Sequence, residues 1–460
     1  SVRADRGATI GDISITAGGG DEGFSMIGHG GHTIAGNHGG VGEDGEIVVI
    51  GNAISVLGGT NDDTFGQIGH GGIGSSGNHT GDIFINHDPM TNTDIGGGGA
   101  LTVRGGASGG GGTHDMYALI GHGGNGTHGD MTGNILIANT ASATIEGGTG
   151  ATAYGAVGHG GWANGGGGGT LTGNVELNTD GILNMDGGTG GRAHSRIGHG
   201  GFDWDGEKVG TVTVTAASVD ADGGSGGGSY VLIGHGGVGG STGDATGNIS
   251  VTTDTGGVNL AAGTGNDSFA TIGHGGIISG ASNVDGNVTV NSAGDIILTG
   301  GNGLSSFSSI GHTGFDANGT KMGNIDVDST GIIGLTSGGG NNSFTHIGHG
   351  GVRATGDTTG TISIDTTGAG LMTLMGGGGT DAYSMIGHGG VGNAAADGDI
   401  TGTISINHAN AGALSLISGT GTTAFTQIGS GGSDWDGTKG GQITISDVTA
   451  ATLTAGTGAG

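Results

Sequence analysis

The chain has no cysteine, one proline, only nine lysines and arginines, and 3% aromatic residues. Without cysteine there is neither a disulfide framework nor a thiolate metal site. One proline and no strict Gly-X-Y period exclude collagen. So few basic residues against 39 acidic ones, a formal charge of −30, exclude the clustered Lys and Arg that nucleic acid needs. An anionic membrane surface is excluded for the same reason. No run of 18 apolar residues offers a membrane-spanning helix. The opening "SVRADRGATI" has no apolar core of a signal peptide, so the chain reads as mature or as part of something longer. What remains is an acidity that keeps a long surface soluble and draws mobile cations, calcium included.

Glycine is abundant, at 126 residues, and it is ordered rather than random. The motif "IGHGG", with one-letter variants, occurs eleven times, its first residue at 27, 68, 120, 157, 197, 233, 272, 310, 347, 386 and 428. Three apolar pieces recur around it in fixed order: "GNISV" at 247 or "GNVTV" at 286, then "IILTGG" at 296 or "LSLISG" at 414, then an aromatic three positions before the motif. Alternation such as Ile249–Ser250–Val251 has the period of a strand, and glycine and asparagine between strands signal turns. Many short strands at one repeat predict a right-handed parallel β-helix, a single solenoid of about eleven repeats over 1–460. A β-propeller is the rival.

The 18 to 21 residues separating the first piece from the aromatic, as in Val288 to Phe307, divide each repeat in half. That division predicts two coils per repeat, roughly 23 coils and a rod on the order of 110 Å. One large coil per repeat is the alternative. Residues 87–99, "HDPMTNTDIGGGG", break the rhythm and are expected to protrude from a corner.

Strand parity places Ala270, Ile272 and His274 on one face. The Thr271 position varies through Met26, Gln67, Arg196, His346 and Met385, which reads as the solvent face. His29, His70, His122, His159, His199, His235, His274, His312, His349 and His388 then form an inward column, with Ser430 in the last repeat. Their partners should be backbone groups at the corner. Two coils per repeat would set these rings about 9.6 Å apart, too far to share a metal ion. No paired nucleophile or acid accompanies them, so the reading is structural and no catalytic residue or cofactor is assigned.

"GTGNDSF" at 263 and "GGTNDDTF" at 58 resemble the calcium-binding nonapeptide of RTX proteins, with Asp62, Asp63 and Asp267 as candidate ligands. "DWDG" at 203 and 434 and "DANG" at 316 place Asp and Asn on turns, where Trp204 and Trp435 would either stack on sugars or pack on their own loop. The nine basic residues read as scattered, with no common phase.

The glycine-rich alternation "GNVTVNSAGDIILTGG", with the acidity and lack of cysteine, resembles the passenger repeats of filamentous-haemagglutinin-like exoproteins and autotransporter adhesins of Gram-negative bacteria. The resemblance covers essentially the whole chain and is one of class. It implies secretion across the outer membrane, an extracellular or cell-surface location, and work as an adhesin or filament. "ISITAGGG" (13–20) and "ATLTAGTG" (451–458) hold the same phase, so end-to-end stacking with a second copy or a parent rod is expected, beside a cell-surface or glycan ligand. The alternatives are a carbohydrate-active β-helix enzyme, such as a lyase, and a calcium-dependent assembling module.

Overall fold

The computed structural model describes residues 1–457 apart from 7–8, 41–44, 108–114, 164–167, 240–242, 393–396 and 411. Gly458, the last residue of the second phase-matched stretch, lies outside the described residues. So do the side chains of Asp5, Arg6, Thr9 and residues 278–281.

The chain winds as stacked parallel coils with no helix among the described residues. One turn shows the pattern. Ile249–Thr253 lies in a first sheet, Val258–Ala261 in a second, Phe269–Ile272 in a third, Gly275–Ala281 in a fourth and Val284–Asp285 in a fifth. Val288–Ser292 then returns to the first. The first and second sheets have twelve strands each, the third and fifth eleven. In the fourth sheet an eight-stranded run and a separate pair are hydrogen-bonded.

Each strand pairs in register with its equivalent one repeat away: Val251 lies beside Val214 and Val290, and Phe269 beside Tyr230 and Phe307. There is therefore one coil per repeat, not two. About eleven turns rise roughly 50 Å at the usual strand spacing, half the length that two coils predict. The physical reason lies in the glycine segments. Read as loops, they make a single turn look too loosely connected; in fact they form strands themselves, such as Gly350–Val352 in the fourth sheet.

Two interiors result. Alternate residues of the first three sheets close a continuous apolar core that runs from Ile15 to Leu414. The third sheet is buried on both faces. Ala270 and Ile272 face that core, while Phe269 packs with Phe307, Phe315 and Val352 toward the fourth sheet. The Thr271 position is thus not the solvent face: Gln67, Arg196, Thr271, His346 and Met385 are all at most 1% exposed. Free variation there reflects a second, partly polar lobe enclosed by the third, fourth and fifth sheets.

The insertion lies between Ile83–Ile85 and Ala100–Arg104, at the corner from first to second sheet. It forms a small antiparallel pair, His87–Asp88 with Thr93–Asp94. Met90 at its tip is 88% exposed. A His87–Asp94 contact of 2.8 Å and an Arg3–Asp88 ion pair of 3.0 Å tie its base down.

Candidate functional site

At the end of each third-sheet strand the chain turns through glycine, histidine and glycine. The first flanking position is glycine in every repeat, and the second is glycine except for Thr313; both lie close to the next coil. A Cβ on Gly273 would stand 1.9 Å from the carbonyl oxygen of Gly311, and one on Gly275 2.4 Å from that of Thr313. The bare Cα–H groups instead face those carbonyls, one coil away.

This close approach fixes the imidazoles. From His29 to His349, the backbone N–H of each motif histidine donates to Nδ1 of the histidine one coil on. His235 to His274 is 3.1 Å and His274 to His312 is 3.2 Å, with the nine such bonds from His29 to His388 spanning 2.9–3.2 Å. A nitrogen that accepts an N–H carries a lone pair, so the ring proton belongs on Nε2. From His70 to His388, Nε2 lies 2.7–3.0 Å from the carbonyl of a glycine just before a first-sheet strand, as His274 does from Gly247. It donates there. The rings stack at 4.7–5.2 Å between centroids, half the spacing that two coils per repeat would give. His29, at the open end of the column, is exposed.

Burial holds these rings neutral. His159, His274 and His388 are pulled down to about 4, chiefly by desolvation. His122, His199, His235, His312 and His349 are lowered by burial and by neighbouring imidazoles. The geometry agrees, because a protonated Nδ1 would point a hydrogen at a backbone N–H. An imidazole with both nitrogens committed to the backbone has no lone pair left for a metal ion or a substrate proton.

A second column stands beside the first. The aromatic residues before the motif, from Phe24 through Tyr117, Tyr154 and Tyr230 to Phe425, stack at 4.4–5.0 Å, with His194 taking one place. Between the columns, Gln67 donates to the carbonyls of Gly121 (2.9 Å) and Gly123 (3.1 Å), and His346 lies 2.6 Å from that of Gly387.

The basic residues are not all scattered. Lys208, Lys321 and Lys439 share one fifth-sheet register, three coils apart. Lys208 and Lys321 point inward and are nearly fully buried. The Lys321 ammonium donates to the carbonyls of Ala317, Gly319 and Thr355 at 2.9–3.1 Å, and Lys208 to those of Trp204, Gly206 and Gly243 at 2.9–3.3 Å. Desolvation pulls both down to about 8. The sequence signal was present in "DWDGEK", "DANGTK" and "DWDGTK", where lysine follows the turn aspartate by five. Trp204 and Trp435 are 0% and 5% exposed and donate Nε1–H to Gly169 and Gly398 at 3.0 Å, which removes them as sugar-stacking platforms.

Asp63 and Asp267 occupy a left-handed turn position, with φ of 55° and 56°. Thr152, Arg192, Ser305 and Asn342 stand at equivalent turns with φ of 55–62°. Burial raises both carboxyl groups above the usual range. Asp62 precedes this turn. Among the described residues, no three His, Cys, Asp or Glu side chains converge to hold a metal ion.

No protein-family model, no curated protein and no solved structure matches this chain.

Proposed function

We propose that this chain is a secreted structural or adhesive rod of the extracellular or cell-surface kind, a scaffold rather than an enzyme. The observation that carries the reading is the histidine column: ten repeats of a reactive side chain, nine of them with both ring nitrogens engaged. That is how a side chain is used to build a shaft. The resemblance to Gram-negative exoprotein passengers supports the location. The test is antibody labelling of intact producing cells. Surface labelling is the expected result, and labelling only after permeabilisation contradicts it.

A second reading rests on one groove. It runs over the corner from second to third sheet with a volume of about 500 Å³, and Arg104, Glu146 and Asp186 line it on successive coils. Arg104 lies 3.8 Å from Glu146. A basic residue beside carboxylates is what a lyase acting on acidic glycans requires. Turnover of a polyuronate with divalent cation, lost in Glu146→Gln, would favour this reading over the scaffold.

A further inference from the structure

Unlike the carbonyl-capped Lys208 and Lys321, one charged group of the second lobe has neither a hydrogen-bond partner nor a carboxylate acting on it among the described residues. Arg196 is 0% exposed, and Nε, Nη1 and Nη2 all lack a hydrogen-bond partner among the described residues. A guanidinium cannot shed its proton in a protein, so the charge persists in a dry interior. The groups acting on it electrostatically are Tyr154 and Tyr230, neither of them a carboxylate. Their hydroxyls are likewise buried and unpartnered. His194, on the same strand face, lies 3.2 Å through Nδ1 from the Arg192 carbonyl and is held neutral by burial. Around Arg196 the described residues therefore offer surplus donors and no carboxylate acting on the guanidinium, while the buried Lys208 adds a second positive charge nearby.

One neighbouring rung carries a small side chain: Ala156 lies directly beside Arg196 on one side, Leu232 on the other, and Leu119 shares the register one coil beyond Ala156. Where Gln67 holds this register, its amide reaches the turn carbonyls of the next coil; the Arg196 donors make no such bond.

We propose that Arg196 holds a small monovalent anion of chloride size between the third and fourth sheets, with the Tyr154 and Tyr230 hydroxyls as further donors. Water fills hydrogen bonds but leaves the charge unbalanced; a halide does both. Full burial makes the ion a structural component taken up on folding, unlike ions loosely attracted to an exposed surface.

The test is reversible unfolding in chloride or bromide against gluconate at matched ionic strength. For one site binding only the folded chain, the unfolding constant falls about tenfold for each tenfold rise in halide above the dissociation constant. Arg196→Leu places the residue of Leu119 and Leu232 at this register and is expected to abolish the dependence. Should that variant fail to fold, Arg196→Gln, which copies the Gln67 rung, serves the same purpose. Crystals grown in bromide should show an anomalous peak against the guanidinium. A halide dependence shared by the variant, no dependence in the wild type, or bromide only on the outer surface overturns the proposal.

Discussion

The two interiors of this solenoid are built on the same backbone ladders and differ in what fills them. The first, inside the first three sheets, is aliphatic throughout, with Val251, Leu298 and Ile310 typical. The second, behind the third sheet, holds stacked phenyl and imidazole rings, two lysines capped by carbonyls and a buried guanidinium. Aliphatic packing supplies the larger driving force for burial. It specifies register weakly, because a slip of two residues keeps every inward side chain inward. The histidine column removes that degeneracy. A two-residue slip takes Nδ1 away from the backbone N–H that it serves, and Nε2 away from its glycine carbonyl. The apolar core makes the coil collapse; the histidine column sets where each rung stops.

Four changes sharpen the contrast. The largest effect is expected from Gly273→Ala, where the added carbon meets the Gly311 carbonyl at 1.9 Å. The loss should exceed about 4 kcal/mol, and soluble expression with circular dichroism should report failure to form the native sheet. Next is Leu298→Ala in the aliphatic core, expected to cost about 2–5 kcal/mol in urea unfolding. His274→Leu follows closely. It strands the His235 N–H and the Gly247 carbonyl, each worth about 1–3 kcal/mol. Smallest is Thr289→Ala on the outer face of the first sheet, expected within about 0.5 kcal/mol of the wild type.

Acid separates the second and third of these. The buried histidines titrate near 6.5 when unfolded and lower when folded, with His159, His274 and His388 at about 4. Between those values the unfolded chain binds more protons. Stability is therefore fully present above about pH 6.5 and falls as the pH drops toward about 4, each such histidine adding about 1.4 kcal/mol per pH unit to the slope. Leu298→Ala should keep the wild-type slope, and His274→Leu should lose one histidine's share. Equal slopes in the two variants would separate His274 from acid stability.

The aliphatic core was legible in the sequence because period-two alternation states it directly, as in Val288–Thr289–Val290. The second lobe was not. Glycine carries no alternation, so the fourth-sheet strand Gly350–Val352 reads as loop, and without that wall the Thr271 position looks solvent-facing. The same omission doubles the coil count and the histidine spacing. The histidines follow the end of each third-sheet strand, where parity no longer applies, and their place is fixed by bonds to the next coil and to the glycine before the first-sheet strand. The lysine sockets had a sequence signal in the five-residue spacing from turn aspartate to lysine, but with Ala245 and Val284 between Lys208 and Lys321 in the register it recurs only every third coil.

The most direct test of the account is nitrogen-15 NMR of the labelled imidazoles through an acid titration. A set of neutral rings protonated on Nε2, with unprotonated Nδ1 and no titration until well below pH 6, is the predicted result. Rings that carry the proton on Nδ1, or that titrate near 6.5 in the folded protein, would contradict it.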